Sequence, residues 1–268
     1  MKALCLITPF LLLIGLNACK KESTNNTSQG TTYNHLLKTV AKFSPTNQIV
    51  TSYSYDANNR LAEIKIISSA TDQYTEKFFR DGSGKLDSIV AGGSSDGIVS
   101  NSVSSFFYDA GGKLNLSFSR FHSSGSQDRK DSSVYLYTGN LLQKRTDYRS
   151  FDGGNTYNLL TEVSFEFDAA GNVTRSVFDW AVSPNTTDTL IFQYDNKPNP
   201  VPRADGYFYW APVFYNDYKM QNNLLKISSN NTNQRSVYEY GYAPNNKPLY
   251  RKQTDPADFV YETVYYYD

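Results

Sequence analysis

Between Val163 and Val177 the chain reads VSFEFDAAGNVTRSV, with apolar residues at every second place up to Asp168 and polar ones between them. Alternation of period two belongs to a strand that buries one face and wets the other. The pattern stops at Asp168 and resumes at Val173, with Gly171 in the gap. Asp suits the opening of a type I turn, and Gly suits the left-handed position at which a three-residue hairpin loop meets its bulge. The stretch is therefore a β-hairpin with Phe167 opposite Val173, an aromatic–aliphatic cross-strand pair.

The unit recurs. Tyr53 to Asp56 leads into Asn58-Asn59 and returns through Ile64 and Ile66, where the asparagines predict a two-residue turn. Phe78 to Asp81 turns at Gly82 to Gly84 and returns through Ile89, with its register open. Phe106 to Asp109 turns at Gly111-Gly112. Pairing Tyr108 with Leu114 there sets Phe106 opposite Leu116 and Ser104 opposite Phe118. Further copies start at Tyr135 and Phe192, and Thr138 stands where Asp stands elsewhere. The spacing of Asp56, Asp81, Asp109, Thr138, Asp168 and Asp195 is near thirty residues, one hairpin plus its connection. The connections Ala91 to Ile98 and Phe151 to Thr156 carry the glycines expected of turns at the opposite end.

Two stretches depart from the pattern. Lys197 to Pro202 (KPNPVP) holds three prolines and is excluded from a central strand, and the aromatic run Tyr207 to Tyr215 (YFYWAPVFY) follows it. Alternation then resumes and continues to Tyr267. His35 to Phe43 (HLLKTVAKF) is compatible with a short amphipathic helix or with a first strand.

About fourteen strands with one apolar face each must bury that face. The expected fold is all-β, an antiparallel up-and-down meander curled into a barrel or half-barrel, with two packed sheets as the other solution. The 22 Tyr and 16 Phe suit an interior too wide for Leu and Val to fill. A transmembrane barrel needs an apolar outward band, whereas the opposite faces here carry Ser54, Lys113, Glu162, Ser164 and Glu166.

Residues 1–18 read as a lipoprotein signal peptide. Lys2 is followed by an apolar core from Leu4 to Leu16, and Leu16-Asn17-Ala18-Cys19 resembles the bacterial lipobox. That resemblance implies lipidation of Cys19 and leaves no free thiol for a disulfide or a Cys-based metal site. Residues 19–44 read as a lipid-anchored, disordered tether and lead-in, and residues 45–268 as the hairpin domain. Lys20-Lys21-Glu22 resembles the charged export signal of Bacteroidota surface lipoproteins, so surface and periplasmic faces of the outer membrane are both open. The 26 basic and 26 acidic side chains leave no field that would attract nucleic acid.

Candidate chemistry is sparse. His35 and His122 read as exposed loop residues, no Gly-x-Ser-x-Gly elbow is present, and the recurrent aspartates are explained by turns. No catalytic residue, cofactor or metal is expected. Trp210 with Tyr207, Tyr209 and Tyr215 could offer a flat platform to a sugar or apolar ligand, or could plug the sheet where the repeat fails; the plug is the preferred reading.

The units YSYDANNRL, FFYDAGGKL and FEFDAAGNV resemble the YD repeats of Rhs-type proteins. Together with DNKPNPV at Asp195 to Val201, Asn222-Asn223 and YEYGY at Tyr238 to Tyr242, they make residues 45–268 resemble a Bacteroidota lipoprotein domain of unknown function with a porin-like β fold. The resemblance implies a β-meander barrel and transfers no catalytic residue. The expected role is non-enzymatic binding or structural interaction in the cell envelope, with a glycan or an envelope protein as partner; a glycan-acting enzyme is the alternative.

Overall fold

The computed structural model describes residues 35–44, 47–181, 186–201, 221–230 and 235–268. Among these, the first eight strands are β1 (Leu36–Lys42), β2 (Gln48–Tyr55), β3 (Leu61–Ile67), β4 (Gln73–Arg80), β5 (Leu86–Ser95), β6 (Ile98–Tyr108), β7 (Leu114–Ser123) and β8 (Arg129–Thr138). Next come β9 (Leu141–Ser150), β10 (Asn158–Phe167), β11 (Val173–Trp180), β12 (Thr186–Pro198), β13 (Asn222–Ser229), β14 (Arg235–Tyr242), β15 (Pro248–Thr254) and β16 (Val260–Tyr267). Each pairs with its neighbours in sequence, and β16 pairs with β1, which closes an up-and-down barrel of sixteen strands. The segment left open at His35 to Phe43 is thus a strand: Lys38 to Lys42 ladder with β2 on one side and β16 on the other.

The turn chemistry follows the sequence closely. Asp168 donates its N–H to the Asn172 carbonyl, Gly171 donates to the Asp168 carbonyl, and Gly171 has φ of 84°. The same two bonds form at Asp56, Asp81, Asp109 and Ala243. At Asp56 the expected two-residue turn is therefore a three-residue loop, with Asn59 at φ of 60° in the place Gly holds elsewhere. Two further connections differ from expectation. Ala91 to Ser95 belongs to β5, so the turn there is Asp96-Gly97, and Lys197-Pro198 ends β12, where Pro198 faces Asn222 across an irregular register. Proline is tolerated at such a strand end because the ladder is already interrupted.

One device was invisible in the alternation. Tyr108 faces Leu114 as expected, but Phe107 then faces Leu116 and Ser105 faces Phe118, because Asn115 is an extra residue in β7. A bulge of one residue turns the rest of the strand over. Ser117 and Ser119 consequently point inward and are buried, while Phe118 stands outside, edge-on to Phe107 at 5.9 Å. The expected facing of Phe106 with Leu116 and of Ser104 with Phe118 is corrected accordingly. The same shift recurs at Tyr55/Leu61, Arg80/Leu86, Tyr137/Leu142, Phe167/Val173, Tyr194/Leu224 and Tyr242/Pro248, and at the closing pair Leu36/Tyr267.

The bulges gather one ring of side chains. Leu36, Leu61, Leu86, Leu114, Leu142, Val173, Leu224 and Pro248 all point inward at this end of the barrel, each at most 5% exposed. Beside them runs a ring of polar latches. The hydroxyls of Tyr55, Tyr108, Tyr194 and Tyr267 donate to the carbonyls of Leu36, Leu86, Val173 and Pro248, at 2.6–2.9 Å. Arg80 makes the equivalent bond to the Leu61 carbonyl at 2.9 Å. Each latch ties a hairpin to the one before it.

Inward positions beyond the ring form two apolar clusters. One holds Ile64, Phe78, Ile89, Phe106 and Tyr135, and the other Val163, Phe178, Phe192 and Tyr238. These side chains are almost wholly shielded from water. The outward positions alternate with them and mix charged side chains, such as Lys65, Lys77, Lys144, Glu162, Glu166, Arg175, Lys226 and Glu239, with exposed apolar ones, such as Phe79, Val103, Phe107, Phe118, Val134, Leu136 and Ile191.

Candidate ligand site at the barrel mouth

Cys19 and the aromatic run with Tyr207, Tyr209, Trp210 and Tyr215 lie outside the described residues. The histidines can be placed. His35 is held at the closing seam, 3.2 Å from Asp268 Oδ2 and against the Tyr55 ring, with only 20% of its side chain exposed. His122 lies on β7 rather than in a loop, exposed, with Nδ1 2.5 Å from Asp128 Oδ1. His35 is thus corrected from an exposed loop residue to a shielded seam residue.

The turn aspartates have structural work. Asp56 Oδ1 accepts the N–H groups of Asn58 and Arg60, Asp81 Oδ1 those of Ser83 and Lys85, and Asp168 Oδ1 that of Asn172. These bonds favour the ionised form. The Arg60 amide holds Asp56 below its ordinary pKa, and the Ser83 hydroxyl does so for Asp81. At Asp168 burial acts upward, and the bonds from Asn172 outweigh it.

The site with room for a ligand is at the other end of the barrel, away from these turns. It arises from small inward residues. Across the sheet one row runs Gly93, Ser100, Ser123, and the next runs Ala91, Ser102, Phe121, Arg129. The low rows leave a hollow of about 410 Å³ whose walls are Tyr74 on one side and Phe121 and Arg129 on the other, with Phe151 at the rim. A second hollow of about 210 Å³ shares Tyr74 and Ser100 with it. The larger volume falls within the range of small-ligand sites, about 300–1,000 Å³.

Its polar groups are unspent. The hydroxyls of Ser100, Ser102 and Ser123 make no side-chain hydrogen bond among the described residues, and neither does the guanidinium of Arg129. Arg129 lies over the Phe121 ring, 4.1 Å from its centre, and its Nε is buried without an acceptor. That nitrogen is 3.4 Å from Asp131 Oδ2, close enough for attraction, but the direction is wrong for a hydrogen bond. Asp131 is engaged elsewhere: Arg149 holds it through Nε at 2.9 Å and Nη2 at 3.1 Å. Burial pushes the Arg129 pKa down, the charge of Asp131 acts against that shift, and the charge of Arg149 adds to it. Arginine remains charged through such shifts, so two guanidiniums share one carboxylate in this wall. A further inward ion pair joins Arg145 to Asp147 at 2.9 Å, and Asp147 also accepts from Ser133.

No motif in the chain marks this hollow directly. Its trace is the inward parity of β6, where Ser100, Ser102 and Ser104 stand in places that Phe106 and Tyr108 fill with aromatics. Until the bulge fixes which parity is inward, those serines cannot be told from solvent-facing ones.

These features define a class: a closed sixteen-stranded antiparallel meander with two apolar clusters inside and, among the described residues, two adjoining polar hollows at its mouth. Among solved structures the chain is similar to a porin-like protein from Bacteroides uniformis, with a TM-score of 0.51 and 10% identity, covering 87% of this chain and 96% of that one. It is similar also to a porin-like protein from Bacteroides vulgatus, with a TM-score of 0.50 and 14% identity, covering 87% and 99%. Identities this low speak to the fold alone. No protein-family model matches the chain, and no curated protein matches it by sequence.

Proposed function

We propose that the protein is a lipid-anchored barrel of the cell envelope that serves as a binding module, neither a channel nor an enzyme. The observation that carries this reading is the direction of the barrel's polarity. A porin presents an apolar band to lipid and a polar wall to a water-filled lumen. Here Phe78, Phe106, Phe178 and Phe192 are shielded inside, and the outer face, although it shows Val103, Phe107, Phe118, Val134 and Leu136, is interrupted by lysines and glutamates such as Lys77, Lys144 and Glu162 rather than forming a continuous apolar band. An outward lysine or arginine at the bilayer midplane costs about 2–4 kcal/mol, and several stand at mid-strand. Side chains this well shielded also leave no wide water path where they sit.

The anchor then follows from Leu16 to Cys19 and the envelope address from the leader, with the Bacteroides likenesses in fold as support. Against hydrolysis of glycans stands the lining of the hollow, which includes no carboxylate, whereas a glycosidase needs a facing pair. The test is the Cys19→Ser full chain. It should purify without detergent and give no conductance across a planar bilayer. Detergent dependence together with stepwise conductance would overturn the reading.

A further inference from the structure

We infer that the hollow at the mouth binds an anionic saccharide, its hydroxyls engaged by the serine floor and its carboxylate by Arg129. This rests on the binding-module reading and names its ligand class. Three features of the hollow point the same way. Among the described residues, Ser100, Ser102 and Ser123 present hydroxyls with no side-chain partner, each able to donate and accept, as a polyhydroxylated ring requires. Tyr74 and Phe151 give an aromatic wall and rim for the apolar faces of such a ring.

The third feature is charge. Arg129 has a guanidinium with no hydrogen-bond acceptor, and the nearest carboxylate, Asp131, is taken in a two-point grip by Arg149. Asp131 therefore attracts Arg129 without accepting a hydrogen bond from it, and among the described residues the donors of this guanidinium stay open to a ligand. The other carboxylates near the hollow are engaged, Asp128 by His122 and Glu76 by the Tyr74 hydroxyl. A guanidinium fixed on an aromatic ring is pre-oriented for a planar two-point partner, and a carboxylate is such a partner. A neutral sugar would leave this donor set unused.

The hollow's location favours a ligand that arrives from solution. It lies at the end of the barrel opposite the bulged hairpins, between strand ends, and Phe151 at its rim is exposed. Its floor cannot be widened or narrowed cheaply. A Cβ on Gly93 would run into the Gln73 carbonyl, so the backbone of β5 lies tight against β4 beneath the serines.

The experiment is calorimetric titration of the full-length protein with digalacturonate and, separately, with its dimethyl ester, which has the same rings without the charge. Digalacturonate should bind, with the ester at least about tenfold weaker, a difference of about 1.4 kcal/mol. Arg129→Gln should bring the acid down to the affinity of the ester and leave the ester unchanged. Ser102→Val should weaken both, and Arg120→Gln, outward on the same strand pair, should weaken neither. Unchanged thermal midpoints establish that the variants are folded. Equal affinity of acid and ester, or the same loss from Arg120→Gln as from Arg129→Gln, would overturn the assignment. So would failure of both probes to bind at millimolar concentration. A detergent-free, non-conducting barrel that binds neither probe removes this ligand and leaves the proposed class intact.

Discussion

At the scale of single residues the turns are the most legible part of the protein. Gly171 has φ of 84° and open space around the position a Cβ would occupy, so only the backbone resists a larger residue. Gly171→Val should lower stability by about 1–2 kcal/mol. Ala170→Val, at the exposed neighbouring position, should cost much less, as read from urea midpoints. The aspartates add a dependence on pH. Asp56 and Asp81 have lowered native pKa values, so their contribution is present above the unfolded value, near 3.9, and is lost as pH falls through the native one. The midpoint should hold down to about pH 5 and drop below about pH 4. Replacing both by Asn keeps an acceptor oxygen without the titration, and should flatten that drop; identical slopes would remove these residues as the cause.

At the scale of elements, alternation showed where strands are and hid which way they face. The pairing of Phe167 with Val173 and of Tyr108 with Leu114 was readable because both lie before the bulge. Beyond it, Asn115 reverses the faces, and nothing in LNLSFSRF marks Asn115 as the extra residue. Its role can be measured. Deleting Asn115 should close the ladder with Ser117 and Ser119 still inward and lose only the local bend, so the product should fold, whereas deleting Phe118, beyond the bulge, should turn Ser119, Phe121 and Ser123 outward and the product should not fold. Soluble yield and near-UV circular dichroism distinguish the two.

The latches were equally hidden, because the pattern accounts for a tyrosine ring and says nothing of its hydroxyl. Tyr108→Phe should cost about 0.5–1.5 kcal/mol by removing the donor to the Leu86 carbonyl. Phe167 occupies the matching place without a hydroxyl, and Phe167→Tyr should raise the midpoint by supplying one.

At the scale of the whole molecule, closure and strand order followed from the need to bury one face and remove edges. The hollow did not, since it depends on which serines the bulges turn inward. The aromatic run Tyr207 to Tyr215 lies outside the described residues. The buried pair Arg145 and Asp147 shows how little slack the interior has. Its side chains are 7% and 14% exposed, and Asp147 also accepts from Ser133. Arg145→Met should leave a shielded carboxylate and cost about 3–5 kcal/mol. Adding Asp147→Val should recover much of that loss, and a double variant no better than the single one would show the pair to be incidental.

The seam has a bearing on time as well as on stability. Asp268 donates its N–H to the His35 carbonyl, and their side chains meet across 233 residues of sequence. The strand synthesised first therefore waits for the strand synthesised last. Until they meet, the sheet is a ribbon with two bare edges and an aromatic face open to any neighbour. The finished barrel offers no such template, so its exposure to misassembly is confined to the interval before sealing. Tyr266→Asp, which removes the ring beneath Lys38 on the outer side of the seam, should prolong that interval. Light scattering during refolding should rise with protein concentration more steeply for this variant than for one equally destabilised at Gly171, because the two would differ in how long the edges stay bare and not in how stable the sealed barrel is.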